Sequence, residues 1–331
     1  QVDPIILKLA FTAYLVALAI FIPISGWCAD RFGALTVFRA AIGVFILSSI
    51  GCAMADSLTT LVTARFAQGM GGAMMVPVGR LIILRVVTKA ELLNAMAWLT
   101  IPALVAPVIG PPLGGFITTY IDWTWIFWLN VPIGIVGIVI ASFVIPQIRA
   151  DHSPPLDIWG FLMSGFGLSS LIFGFTLVGR DLLPEWTVFA MIAGGGALVA
   201  LYVVHARRAA HPILDLSLLR VATFRMSVGA GFLFRIGIGA IPFLLPLMLQ
   251  LAFGLSPFAS GMLTFAAAAG ALTMKFTAAP ILRRFGFRHV LVVNTLISAG
   301  LLGAIALFTT QTPHLVIVAV LLAGGFFRSL Q

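Results

Sequence analysis

The chain has 331 residues, of which 61% are hydrophobic and 9% charged; its mean hydropathy is +1.15 and its formal net charge is +9. Soluble globular domains carry about 25% charged residues, so an ordinary soluble domain is excluded. In a chain this apolar, the positive charge points to orientation in a membrane rather than to a nucleic-acid partner.

Apolar runs of roughly 20 residues, long enough to cross a bilayer as helices, number about eleven. In chain order they cover 6–27, 36–55, 61–84, 93–118, 125–147, 158–179, 186–206, 224–250, 258–281, 289–309 and 314–331. Period-two alternation is absent, which disfavours a β-barrel. The 18 prolines and 33 glycines fall mostly inside the runs, where neighbouring transmembrane helices satisfy the backbone groups they free. The expected class is an all-α polytopic membrane protein. If the segment 28–35 is cytoplasmic, Arg31, Arg39, Arg80, Arg85, Lys89, Arg149, Arg207, Arg208, Arg220, Arg225, Arg283, Arg284 and Arg288 sort to that side, and Lys8 and Arg180 to the other. That positive-inside bias sets the orientation and checks the span count. Arg65, Arg235, Lys275 and Arg328 fall within spans.

The polar stretches near 148–157 and 207–212 read as linkers. They divide the chain into an N-terminal bundle (1–147), two central helices (148–212) and a C-terminal bundle (213–331). A weak repeat relates the two bundles. Arg31-Phe32-Gly33 follows the first span and Arg284-Phe285-Gly286 the ninth; Arg65-x-x-Gln68 lies in the third and Arg328-x-x-Gln331 in the last. Duplicated halves are common in transporters. The chain opens at Gln1 and stops at Gln331 inside an apolar run, and is expected to be part of a longer membrane protein.

Four constellations stand out. Gly26 and Gly33 bracket a short charged segment carrying Asp30 and Arg31, read as a tight cytoplasmic turn in which Asp30 caps the next helix or pairs with a base. Arg65, followed by Gln68, either snorkels to an interface or faces the protein interior; a charge at membrane depth is a functional hypothesis by default. Ala106, Gly110 and Gly114 share one helix face for close packing, and Pro107, Pro111 and Pro112 are expected to kink that helix. Trp123, Phe127 and Asn130 lie at a span end, as an interfacial aromatic belt would. Arg235 and Arg328 are candidate cavity charges, while Lys275 is close enough to a span end to snorkel. All ten acidic residues fall in loops or at span edges. Cys28 and Cys52 lie near opposite ends of adjacent spans and are read as free thiols. No phosphate-binding glycine loop appears, no His/Cys cluster has metal-ligand spacing, and no Ser/His/Asp arrangement points to an enzyme.

These motifs resemble those of the major facilitator superfamily. Gly26, Asp30, Arg31 and Gly33 match its gating-loop signature, with Ala34 departing where the family often has a base. Arg65 and Gln68 match a pattern linked to proton coupling. Gly110, Pro111, Gly114 and Gly115, with Pro107 nearby, match the antiporter motif of exporters, and Trp123, Phe127 and Asn130 match the same exporters' periplasmic corner. The resemblance is to the fourteen-span drug:proton antiporters, and implies a fragment covering the second to twelfth spans, the first helix carrying an aspartate. It also implies two rocking helix bundles in an inner (plasma) membrane, with proton-coupled export of drugs or other small amphipathic compounds. The 27 phenylalanines and 11 methionines suit both an adaptable pocket and plain lipid-facing surface. The implied partners are a small-molecule substrate, protons, the bilayer and accessory efflux proteins, without metal or cofactor. Two alternatives stay open: a carrier of a specific metabolite or organic anion, and a non-transporting sensor or scaffold on the same fold.

Overall fold

The computed structural model describes residues 4–88, 91–150, 153–179 and 182–329. Asp3, Lys89, Asp151, His152, Arg180, Asp181 and Gln331 lie outside the described residues, as do the side chains of Lys8, Pro107 and Lys275. The helices are α1 (Pro4–Phe21), α2 (Ser25–Phe32), α3 (Ala34–Ala53), α4 (Leu58–Val86), α5 (Leu92–Tyr120), α6 (Trp125–Trp128), α7 (Asn130–Val144), α8 (Ile158–Leu177), α9 (Glu185–Ala206), α10 (Ala222–Gly239), α11 (Ile241–Leu247), α12 (Pro257–Phe285), α13 (Phe287–Ile305) and α14 (His314–Arg328). A 3-10 turn at Leu216–Arg220 precedes α10 and a π segment at Met248–Ala252 extends α11. Among the described residues, eight helices are long and apolar enough to cross a membrane, or nine if the bent pair α1–α2 is one span. The 29-residue α5 and the shorter apolar α14 account for the other two apolar runs.

The first run departs from expectation. It ends at Phe21, and after a break of three residues containing Pro23 the chain continues at 56° to α1 as α2. Proline removes a backbone donor and crowds the preceding turn, so a helix breaks there. Ser25 restarts it, its Oγ donating to Ile22 O at 2.6 Å. The segment expected to be a turn is therefore a two-turn helix, and the turn itself is confined to Gly33. Gly33 has φ +92° and ψ 136°, a region nearly closed to residues with a Cβ. Gly286 does the same between α12 and α13, with φ +75° and ψ 151°. The repeated Arg-Phe-Gly thus encodes the same helix–glycine–helix corner twice.

Two compact units emerge from the packing. One holds the described residues up to Leu92 together with Ile126–Ala230; the other holds Leu93–Trp125 with the described residues from Gly231. The unit boundary places residues 93–125 with the later helices, whereas the sequence grouped them with 1–147. In the first unit α4 lies against both α1 and α3, and α8 against α9 and α1. A Cβ on Gly69 would sit 2.5 Å from Tyr14 O of α1, and one on Gly71 would sit 2.7 Å from Ala41 O of α3. Only glycine lets these backbones meet. In the second unit α14 packs against α12 and α13, with Gly325 against Ala267 O and Gly270 against Leu322 O. The relation of α4 to α1 and α3 is repeated by α14 with α12 and α13.

Polarity is inverted relative to a soluble protein. Phe143 is 87% exposed and Leu315 80%, whereas Ser49, Gln68 and Ser260 are buried. Lipid tails accept the apolar surface, and helix association depends on close packing and internal polar contacts. Small apolar cores remain: Ala29, Ala34, Val37, Val78 and Ile82 in the first unit, and Leu245, Leu249, Leu263, Ala266, Ile317 and Leu321 in the second.

Asp157 fastens the central helices to the segment after them. It caps α8, accepting from Gly160 N–H at 2.8 Å. It also contacts His205 Nε2 of α9 at 2.7 Å and accepts from Ile213 N–H at 3.3 Å. Beside it, Tyr202 Oη accepts from Leu214 N–H at 2.9 Å. Burial pushes the Asp157 carboxyl up, but the bonds from Gly160, His205 and Ile213 outweigh it and hold it below the usual range. A carboxylate so depressed contributes stability that is fully present above its unfolded value, about 3.9, and is lost as pH falls through the folded value. Amide-exchange protection at 209–215 is therefore expected to hold at neutral pH and to drop below pH about 4. Asp157→Asn should lower protection at neutral pH and abolish that acid step; an acid step unchanged in the variant would contradict the assignment.

Candidate functional site

A second buried polar cluster of the first unit is built around the charge of Arg65. Helix α4 starts at a capping box in which Ser57 Oγ accepts from Thr60 N–H and Thr60 Oγ1 accepts from Ser57 N–H. Arg65 lies seven residues past Leu58, roughly 10 Å along the helix at 1.5 Å per residue. Its guanidinium turns inward rather than snorkelling. Nη1 donates to Gln68 Oε1 at 2.6 Å, and the guanidinium carbon lies 4.7 Å from the Tyr14 ring centroid and 5.7 Å from that of Phe127. Gln68, 1% exposed, donates from Nε2 to Ser49 Oγ of α3 at 2.6 Å. Asn130, at the start of α7, donates to the same oxygen at a longer 3.4 Å.

Helices α1 and α4 and the α6–α7 segment thus converge on one guanidinium, with α3 and the start of α7 reaching it through Ser49 and Gln68. The aromatic faces stabilise the cation where water is excluded, and the amide chain fixes its plane. Among the described residues no carboxylate pairs with Arg65; the two ion pairs there are Asp30–Arg85 and Asp157–His205. A positive charge held this way favours the ionised form of any carboxylate brought beside it. Of this cluster the sequence singles out Arg65 and Gln68; Phe127 and Asn130 read there as a belt or a corner, and neither Tyr14 nor Ser49 stands out. The Trp-x-x-x-Phe-x-x-Asn spacing was the available signal, but nothing local ties it to Arg65.

At one end of the same unit, Asp30 on α2 pairs with Arg85 near the end of α4 at 2.7 Å. Arg31 is exposed on the adjacent position, and Gly26 is an exposed helical residue with no neighbour near its Cβ direction. The chain after α7 lies across this corner. Ile148 O accepts from Ala34 N–H at 2.7 Å, Gln147 Nε2 donates to Thr36 Oγ1 at 2.7 Å, and Trp27 Nε1 donates to Pro154 O at 2.8 Å. Arg31, Asp30, Arg149 and Ser153 line a polar cleft there.

In the second unit α5 runs through Pro107, Pro111 and Pro112 without a break. Within the second unit, a Cβ on Gly110 or Gly114, the positions expected to pack closely, meets no described atom within 4 Å. The close approach falls one position round the helix, on Pro111 and Gly115, which are also four apart. A Cβ on Gly115 would sit 2.5 Å from Pro257 O, and Gly261 of α12 faces Pro111 O. Phe258 N–H donates to Thr119 Oγ1 at 3.2 Å, and Phe116, Tyr120 and Phe258 pack ring to ring. Of the two candidate cavity charges, Arg328 lines a cavity within this unit, while Arg235 is exposed on α10 away from it. Among the described residues no three His, Cys, Asp or Glu side chains gather as metal ligands would.

A twice-used helical corner, glycine-packed apolar helices and a buried arginine cluster define a polytopic membrane protein of duplicated design. The sequence profile of the Major Facilitator Superfamily matches residues 1–330, and the chain belongs to that superfamily. Proteins provisionally named multidrug resistance protein MdtD, from Salmonella paratyphi A and Salmonella typhimurium, are each 38% identical to it over 294 residues, 89% of this chain. The matched region spans 62% of those relatives' length. Among solved structures, a D-xylose-proton symporter shares the fold with a TM-score of 0.66, covering 99% of this chain and 70% of that one at 14% identity. A double-tryptophan variant of XylE matches with a TM-score of 0.55 over 97% of this chain and 69% of that one, at 17% identity.

The contact at Gly115 gives a direct comparison. Overpacking a tight interface costs about 1–3 kcal/mol, so Gly115→Leu is expected to lower the melting temperature of the purified full-length protein by several degrees. Gly110→Leu should leave it nearly unchanged. Equal shifts would contradict the assignment of the close α5 approach to Gly115.

Proposed function

We propose that this chain forms the greater part of a secondary active exporter that moves small amphipathic compounds outward across the inner membrane in exchange for protons, by alternating access. The observation that carries it is the Arg65 cluster: a guanidinium fixed inside one unit by Gln68, Tyr14 and Phe127, without a carboxylate beside it among the described residues. A charge kept at that depth is costly unless it serves an ion or substrate pathway. Arg65 then sets the ionisation of a proton-carrying carboxylate, with Gln68 holding it in place. Gly26, Asp30, Arg31 and Gly33 gate the cytoplasmic end, where breaking and remaking Asp30–Arg85 accompanies the change of state. Pro111 and Gly115, with Pro107, Gly110 and Gly114 around them, keep α5 in register during the exchange. The name of the MdtD relatives supports a drug-like cargo, and accessory efflux proteins are partners in this scheme.

The test uses the full-length protein in inverted vesicles with an acidified lumen. A transported compound is expected to alkalinise the lumen on addition. Arg65→Ala, inserted at wild-type levels, should reduce that response to below about a tenth, as loss of a buried charge contact implies. An undiminished response in the variant would contradict the coupling role, and no response of the wild-type protein to any of a panel of cationic, neutral and anionic amphipaths would contradict the exporter.

A further inference from the structure

Arg328 shares the Arg-x-x-Gln pattern of Arg65 but stands elsewhere on its helix, three residues after Gly325 at the end of α14, whereas Arg65 precedes Gly69 by four near the start of α4. Residues 216–331 contain eight Lys or Arg and no Asp or Glu. Within 93–125 the one acid, Asp122, is exposed and engaged by Thr124, whose N–H donates to Oδ1 at 2.9 Å and whose hydroxyl donates at 2.5 Å. The second unit therefore offers Arg328 no free carboxylate among its described residues. Arg65 has an amide and two aromatic rings; Arg328, half-buried at the end of α14, forms no hydrogen bond or ion pair with a described residue.

What it has instead is space. Arg328 lines a cavity of about 170 Å³ walled by Phe234, Ile241, Leu302 and Leu321, with Ser298 also on its lining. Ser298 Oγ is buried and has no hydrogen-bond partner. The residues lining this largely apolar chamber thus include one guanidinium without a partner and one idle, buried hydroxyl, and both groups are donors to anions. A buried polar group without a partner costs free energy, so the arrangement is completed by an acceptor from outside the unit.

We propose that this cavity is a binding site for the carboxylate end of an amphipathic organic acid. The two carboxylate oxygens take the guanidinium edge in a bidentate pair, Ser298 donates a further bond, and the hydrocarbon tail lies along the phenylalanine and leucine walls. The chemistry favours a monocarboxylate. A dianion such as a phosphate monoester would bring a second negative charge into an apolar chamber with one cation to meet it. The site deepens the exporter proposed above by naming a class of cargo, and rests on that proposal only for the claim that the bound acid is moved.

The test is equilibrium binding of radiolabelled octanoate to the full-length protein in lipid nanodiscs, without a proton gradient and with protein-free nanodiscs subtracted. Saturable binding is expected, displaced by unlabelled octanoate but not by octanamide or octylamine. Arg328→Gln should weaken it about tenfold or more, as loss of a charged hydrogen-bond pair implies. Arg328→Lys should recover part of the loss, and Ser298→Ala should weaken binding by a smaller factor. Arg288→Gln, at an exposed position of α13, should leave it unchanged and controls for net charge. Absence of saturable octanoate binding, or binding indifferent to Arg328→Gln in a variant that keeps the wild-type melting temperature, would overturn the site. Equal loss in Arg288→Gln would overturn it too, reducing the effect to bulk charge. Octanoate that binds through Arg328 yet is never moved in vesicles would support the site and count against the exporter alone.

Discussion

A guanidinium has to be kept charged inside an apolar bundle, and much of the first unit's design follows from that requirement. Removing Arg65 from water is tolerable only if its donors and its π-accepting faces are met. Gln68 takes one donor, and Tyr14 and Phe127 lie against the cation. Gln68 is itself buried, so its own amide needs a partner and finds Ser49 on the neighbouring helix. Asn130 completes the chain from α7. Each added partner brings another helix to the same point, so satisfying one charge also fixes the mutual positions of α1, α3, α4 and α7. The glycines that follow Arg65 belong to the same solution: with Gly69 against Tyr14 O and Gly71 against Ala41 O, the helices come near enough for short side chains to bridge them.

Elsewhere the fold depends on shape more than on polarity. Apolar side chains such as Phe143 and Leu315 point outward, where they cost nothing in hydrocarbon, and helix pairs are held by small residues that let backbones touch. The repeat is a repeat of this packing. The Arg-Phe-Gly corners at Gly33 and Gly286, and the relation of α4 and α14 to their neighbours, recur although few residues are shared. The two halves place their intramembrane arginines differently. One guanidinium is enclosed by side chains of its own unit; the other is left beside a cavity.

How much of this was legible in the sequence depended on the range of the interaction. Hydropathy is a local property, and the apolar runs led directly to the helices. The reach of Pro23 was underestimated: the charged segment after the first span reads as a turn by composition, yet its residues close a helix once proline has broken the one before, and only Gly33 keeps the conformation a turn needs. Small-residue spacing marks α5 as a packing helix but favours Gly110 and Gly114, whereas the close approach lies at Pro111 and Gly115. Two stripes four residues apart run side by side on that helix, and only the partner decides which is used. Arg65 was visible as an anomaly, but its partners were not, because Ser49 and Asn130 lie 16 and 65 residues away from it and neither is unusual where it stands. By depth along its span the sequence favours Arg235 as the cavity-facing charge of the later helices; exposure on α10 and a cavity at the end of α14 favour Arg328 instead.

The most direct measurement is a double-mutant cycle on Arg65 and Gln68, with each replaced by methionine singly and together, read as unfolding free energy of the full-length protein in mixed micelles. If the amide holds the guanidinium, as described, the two losses should not add, and the coupling should be about 1 kcal/mol or more, as a hydrogen bond to a charged group within one helix implies. Strict additivity would mean that the two side chains act independently, and the convergence of these helices on one charge would lose its basis.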